Sequence, residues 1–429
     1  MSPPQPSDGW TFAVELAARW LREPGRVDWL LERFATGLPG TERARCQDLL
    51  SAAIRNHSRL EAAFAPLLRR TPRPRLRAIL HIAGAEIIEN TDAAPALVVD
   101  HAVGMTRAIC SKAESGMVNA VLRKAALALR VPPPDPASAS AAELALFFSH
   151  PEWLVHRWVA NFGRGATIDL LEWDQRPADV HLRLAPGAEA PEWLQPTPWA
   201  GFFRLKSGHW DDALALLSSG RAYVQDPATR LAPELLAPTP GSTVLDLCAA
   251  PGGKALQLAE KVGPGGCVVC VDQPGPRIPR LEENVARYRA ANPDGARMEI
   301  IASDVLALDA AALGTRSLPA QFEAVMLDAP CSNTGVLRHR VDARWRLRPG
   351  DPMEQAATQL KLLRAAAAFV APGGKLVYST CSLEPEENAG VVTAFLTEVG
   401  AGFTLERSIE SRPWESGHDG AGAFLLRRV

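Results

Sequence analysis

Val244-Leu245-Asp246-Leu247-Cys248-Ala249-Ala250-Pro251-Gly252-Gly253-Lys254 decides the fold of the C-terminal half of this 429-residue chain. The aliphatic run 244–247 reads as a strand, Pro-Gly-Gly ends it, and 255–261 opens a helix. The alternation continues downstream. Strand-like runs lie at 267–272, 298–301, 324–327 and 375–379, with helical periodicity around 280–290 and over 355–370. Such alternation predicts a right-handed, doubly wound α/β sheet. Ligands of these sheets bind beyond the carboxyl ends of the strands, where the strand order switches. The glycine spacing is neither GxGxxG nor a Walker loop, because no Ser or Thr follows Lys254.

Upstream the period changes. Alanine and leucine recur at three- and four-residue spacing over 13–21, 48–63, 76–88, 98–109 and 118–129. That pattern predicts a compact all-α bundle in residues 1–130. Pro132-Pro133-Pro134 excludes a helix, so 131–140 reads as a linker. Residues 141–235 form a mixed α+β connecting region, with a helix over 153–162 and a strand over 180–184. Residues 236–429 form the α/β domain.

Hydrophobic content of 47% and charged content of 22% describe a globular chain. No apolar run reaches the roughly 18 residues of a membrane span. Met1-Ser2-Pro3-Pro4-Gln5-Pro6-Ser7 lacks the basic and apolar parts of a signal peptide. A cytoplasmic location with seven reduced cysteines is expected. The net charge of −2 conceals an asymmetry: 18 Lys and Arg against 13 Asp and Glu through Arg130, then 28 against 35. An arginine-rich front and an acidic back fit an N-terminal module that contacts nucleic acid.

Two cysteines close strand-like runs, in Asp328-Ala329-Pro330-Cys331 and Ser379-Thr380-Cys381-Ser382. One such cysteine is commonly a small packing residue. Two beside a ligand loop suggest thiolate chemistry on a bound substrate. Asp272, Asp304 and Asp328 each end or follow a strand, the arrangement expected around S-adenosylmethionine; the alternative for each is a helix cap. Gly252 and Gly253 are expected to clear room for the ligand, and Lys254 to supply positive charge to a thiol. The chemistry that uses these groups is methylation of cytosine. A thiolate adds at C6, the resulting enamine carbon C5 takes the methyl group, and loss of the C5 proton releases the thiol.

The motifs resemble the RsmB/Nop family of RNA cytosine-5 methyltransferases. The resemblance rests on 244–254, on Asp328-Ala329-Pro330-Cys331-Ser332-Asn333-Thr334-Gly335, and on Tyr378-Ser379-Thr380-Cys381-Ser382-Leu383-Glu384-Pro385-Glu386-Glu387-Asn388. In the front part, Ala102-Val103 and Val118-Asn119-Ala120-Val121-Leu122-Arg123-Lys124 resemble a NusB-type RNA-binding domain. Ser149-His150-Pro151-Glu152-Trp153-Leu154 and Val224-Gln225-Asp226-Pro227 resemble the family's connecting region. The resemblance implies a multi-domain chain, with an all-α NusB-like bundle before a Rossmann-like methyltransferase domain. It makes Cys381 the nucleophile, Cys331 the residue that assists release, and Asp328 the residue that orients the base. It assigns S-adenosylmethionine to Cys248, Ala249, Ala250, Pro251, Gly252, Gly253, Lys254, Asp272, Arg277, Asp304 and Asp328. Small-subunit (16S) ribosomal RNA is the implied substrate; the alternatives are transfer RNA or a non-catalytic RNA-binding assembly factor. DNA is disfavoured, because DNA cytosine-5 enzymes lack the Thr-Cys motif.

Other features have plainer readings. Cys267-Val268-Val269-Cys270 lies within a strand, and His150, His156 and His181 share no ligand spacing, so no metal is expected. Arg338, Arg340, Arg344 and Arg346 follow the first cysteine motif and are expected to grip RNA. The run Arg69-Arg70-Thr71-Pro72-Arg73-Pro74-Arg75-Leu76-Arg77 reads equally as a phosphate-binding stretch or a solvated loop. Of Trp153 and Trp158, at least one is expected in the core. The protein is expected to act as a monomer, without a membrane.

Overall fold

The computed structural model describes residues 8–35, 37–92 and 94–429, so the Met1–Ser7 stretch lies outside it. The chain forms two compact units, Met1–Ala178 with Leu337–Pro349, and Asp179–Val336 with Gly350–Val429. The division falls inside 141–235: residues 141–178 group with the front of the chain and residues 179–235 with the back.

The first unit is helical: α1 Gly9–Trp20, α2 Val27–Phe34, α3 Gly40–Arg55, α4 His57–Phe64, α5 Pro74–Glu89, α6 Pro95–Ile109, α7 Lys112–Leu129, α8 Ala141–Phe147, α9 Glu152–Phe162 and α10 Arg164–Gln175. Local signals set many of the starts. Asp8 and Ser111 cap α1 and α7, prolines open α5 and α6, and Ser140 with Glu143 forms a capping box on α8. The stretch 48–63, expected as one helix, is broken at Asn56. This buried amide donates to Ala52 O at 3.0 Å and to Glu89 Oε1 at 3.1 Å, competing with the helical ladder. Helix α2 was not foreseen. The core joins Trp10, Leu50, Ile79, Leu80 and Leu122. Trp158 is fully buried against His150, as expected of one of the pair.

The arginine run 69–77 is resolved in favour of structure at three positions. Arg73 pairs with Glu114, Arg75 with Glu15 and Arg77 with Glu61, tying helices together, while Arg69 and Arg70 stay exposed.

The segment after the first cysteine motif corrects two expectations. Arg344 is fully buried and donates to Leu337 O at 3.2 Å and Asp174 O at 3.3 Å. Arg338 is buried too. Its guanidinium donates to Pro177 O at 2.6 Å and lies 4.4 Å from the Trp173 ring centroid. Both are structural, because their planar forks satisfy backbone carbonyls that would otherwise be buried unpaired. Arg340 and Arg346 are exposed, the latter with its Nε 2.9 Å from Asp342.

The second unit holds two sheets. Strands β1 His181–Leu184, β2 Leu194–Pro196, β3 Phe202–Leu205 and β4 Ala222–Val224 form an antiparallel sheet in the order β2-β3-β1-β4. The main sheet contains β5 Thr243–Leu247, β6 Cys267–Asp272, β7 Arg297–Ala302, β8 Phe322–Asp328, β9 Val370–Thr380, β10 Phe403–Ser411 and β11 Ala421–Arg428. Its order is β10-β11-β9-β8-β5-β6-β7, parallel from β9 to β7. Strand β6 is buried along its whole length, as a parallel strand covered on both faces must be. That places Cys267 and Cys270 in the core. The antiparallel β10–β11 extension was missing from the sequence reading. The order reverses between β5 and β8, which fixes the ligand crevice at their carboxyl ends.

Replacing Arg344 by Ala strands its carbonyl partners and opens a cavity in the helical unit. We expect a loss of about 3 kcal/mol in stability, measured by urea unfolding of the full chain. An unchanged midpoint would contradict the structural role.

Candidate active site

Strands β9, β8, β5 and β6 end side by side, and each delivers part of the site. The loop after β5 is pinned to its neighbour: Ala249 N–H donates to Val271 O at 3.0 Å and Ala250 N–H to Asp272 Oδ2 at 2.8 Å. Asn284 Nδ2 holds Pro251 O at 2.7 Å from the other side. Gly252 has φ of 103°, and a Cβ there would meet Leu281 Cδ1 at 2.9 Å. A Cβ at Gly253 would strike the amide of Gln225. Both glycines make room for the protein's own side chains.

The cysteines meet because of strand register. Asp328 on β8 stands opposite Ser379 on β9, and the Ser379 hydroxyl donates to Asp328 Oδ1 at 2.8 Å. Beyond the strand ends, Cys331 and Cys381 bring their Sγ atoms to 3.3 Å. Lys254 Nζ reaches Asp328 Oδ2 at 2.6 Å. Asn333, in the left-handed region at φ of 63°, accepts from the Cys381 thiol at 3.4 Å and donates to Cys331 O at 2.8 Å. A cavity of about 60 Å³ adjoins Cys381 and is lined also by Asp226, Thr229, Lys254, Thr380 and Asp419.

Electrostatics distinguish the two thiols. The hydrogen bond to Cys381, then burial, pushes the Cys331 thiol well above its ordinary range, so it stays protonated as the donor. Burial draws the Lys254 ammonium down, but the negative charges of Asp328 and then Cys381 outweigh it and hold the pKa up. Cys248 is different: burial pushes its thiol up and leaves it an inert packing residue.

Of the acids expected around a cofactor, only Asp304 caps a following turn, through the Leu306 N–H at 2.9 Å, and its other oxygen takes the Gln273 amide. Asp272 is almost fully buried at the end of β6. One oxygen holds the Ala250 N–H, and the other meets Arg277 Nη2 at 2.9 Å. Asp328 faces Lys254 and Ser379.

Two further acids escaped the sequence reading. Asp246 on β5 is fully buried with neither carboxylate oxygen hydrogen-bonded. Burial, then the charge of Asp328, pushes its carboxyl well above the usual range. Glu387, also fully buried, accepts bonds from the Ser332 N–H at 2.9 Å, the Ser332 hydroxyl, the Ser382 hydroxyl at 2.9 Å and Gln359 Nε2 at 2.9 Å. Its only sequence signal was the run Glu384-Pro385-Glu386-Glu387, which does not say which acid turns inward.

Comparison with known proteins agrees with this arrangement. Residues 233–411 match the family described as 16S rRNA methyltransferase RsmB/F, and residues 34–127 match the NusB family. Ribosomal RNA small subunit methyltransferase B of Cronobacter sakazakii is 30% identical over 415 residues, covering 90% of this chain and 90% of the relative. Its counterpart of the same name in Thermus thermophilus is 33% identical over 380 residues, covering 87% and 83%. The solved structure of PH0851 shares the fold, with a TM-score of 0.75 at 22% identity over 98% of this chain and 99% of its own. The parallel sheet, the paired cysteine loops and these relatives lead to one conclusion: the chain belongs to the RsmB/F family of 16S rRNA methyltransferases.

Proposed function

We propose that the protein transfers a methyl group from S-adenosylmethionine to C5 of a cytosine in small-subunit ribosomal RNA, through a covalent bond from Cys381 Sγ to C6. The observation that carries this reading is the contact of Cys381 with a protonated Cys331, 3.3 Å away, beside the Lys254–Asp328 ion pair. A methyltransferase acting on an oxygen or an exocyclic amine needs no paired thiols. Cytosine C5 does need a nucleophile at C6, because the ring carbon alone is too weak a nucleophile.

The residues present fit S-adenosylmethionine. Asp246 is a buried carboxyl with both oxygens lacking a donor, and an amino-acid ammonium group offers one. Asp272, held by Ala250 and half-covered by Arg277, would accept from ribose hydroxyls once that guanidinium shifts, and Asp304 would meet the adenine. When bound, S-adenosylmethionine supplies an electrophilic methyl group on a sulfonium.

The chain's own residues account for the remaining steps. Lys254 stabilises the Cys381 thiolate and holds Asp328 for the N3 and N4 edge of the base. Addition of the Cys381 electron pair to C6 enriches C5. After methylation the C5 proton leaves to a base, the C6–S bond breaks and its electron pair returns to Cys381. Cys331 assists that release. The target base must be unpaired or flipped out, since C6 is inaccessible in a stacked helix. Arg340 and Arg346, the exposed members of the basic segment, would contact RNA phosphates. Among the described residues no helix is long and apolar enough to cross a membrane.

Four results test this reading. Cys381→Ala should abolish 5-methylcytosine in 16S rRNA, read by bisulfite sequencing, and form no RNA adduct. Cys331→Ala should instead accumulate an adduct stable on a denaturing gel; adducts in both variants, or in neither, contradict the division of roles. In the free enzyme at pH 8, iodoacetamide should modify Cys381 before Cys331, because the latter remains a thiol; the reverse order on mass spectrometry overturns that assignment. Replacing Arg340 and Arg346 together by Ala should reduce the slope of log affinity against log salt by about 2.

A further inference from the structure

The geometry points to Glu387 as a positioning residue that sets the distance between the two cysteine loops, an inference that rests on the proposed roles of Cys331 and Cys381. Its carboxylate bonds to the residues next to both cysteines. One oxygen accepts from the hydroxyls of Ser332 and Ser382, the residues that directly follow Cys331 and Cys381. The other accepts from the Ser332 N–H and from Gln359 Nε2, each at 2.9 Å. The same Gln359 amide donates to Pro330 O at 2.9 Å, so the residues on both sides of Cys331 are held. Tyr378, on the strand that leads to Cys381, donates to Gln359 Oε1 at 3.1 Å and to the Glu387 carbonyl at 2.5 Å.

Asn333 and Thr334 also span the loops, Asn333 between Cys331 O and the Cys381 thiol and Thr334 to the Ser382 hydroxyl, but the Glu387 carboxylate gathers the residues that follow both cysteines. The hydroxyls of Ser332 and Ser382 also touch at 3.1 Å, and each has the carboxylate as a shared acceptor. An acid buried this completely is costly unless every lone pair is used, and here all the bonds end on the two cysteine loops and the glutamine that braces them. A simple structural acid would need partners somewhere. This one has them one residue from each reacting thiol. With the carboxylate gone, Ser332 and Ser382 lose their shared acceptor and the 3.3 Å sulfur contact loses that part of its support.

The test uses the full-length protein with Glu387→Ala, Glu387→Gln and Ser332→Ala. For Glu387→Ala we expect kcat on 16S rRNA to fall about 100-fold, the cost of misplacing a reacting group by about an ångström. KM should stay within about twofold, because the substrate contacts are elsewhere. The pH profile of Cys381 alkylation should move toward that of a solvated thiol. Glu387→Gln should recover most of kcat, since its carbonyl oxygen accepts from Ser332 N–H and Gln359 while the serine hydroxyls reverse and accept from its amide. If Glu387→Ala fails to fold, Ser332→Ala carries the test, with a smaller loss of kcat in the same direction. A lowered melting temperature with unchanged kcat and alkylation profile would reduce Glu387 to a structural acid and overturn the inference. The alkylation arm reads loop geometry without methyl transfer. If no 5-methylcytosine forms even in the unmodified enzyme, the proposed reaction fails while the role of Glu387 is still decided.

Discussion

The site depends on the parallel register between β8 and β9. Because Asp328 stands opposite Ser379, the two chains leave the sheet together and their cysteines arrive within 3.3 Å, although fifty residues separate them in sequence. A slip of one residue would turn every side chain on one strand to the other face of the sheet. Asp328 would then lose Ser379 and Lys254, and the thiols would no longer converge. The β10–β11 pair, added antiparallel beyond β9, turns β9 from an edge into an interior strand and so protects that register.

Around this framework the charges are arranged for unequal partners. Lys254 and Asp328 form an ion pair, and the charge of Asp328 holds the Lys254 pKa up against burial. Cys331, hydrogen-bonded to Cys381, keeps its proton. Asp246 adds an unpaired buried carboxyl at the end of the neighbouring strand. Such a group is tolerated where a bound partner completes it, and binding sites are where imbalance of this kind collects.

Much of this was legible beforehand where local chemistry dominates. The strand 267–272 was read with its observed bounds, the helix and strand alternation was recovered, and the cysteine motifs were found, because hydrophobic period and turn residues are local signals. Arginines were legible only as charge. Arg338 and Arg344 looked like Arg340 and Arg346 in sequence, yet two satisfy buried carbonyls and two face solvent. The glycines after β5 were recognised, but their close neighbours Leu281 and Gln225, distant in sequence, were not legible.

The sequence by itself determined the fold class, the identity of the two thiols and the acids that end the strands, because each is written in a short run of residues. Tertiary structure decided what those residues do to one another. The sulfur contact, the raised pKa of Cys331, the burial of two arginines and the reach of Glu387 across both loops all depend on long-range pairing. Distances of a few ångströms set hydrogen bonds and pKa values, and no spacing along the chain encodes them.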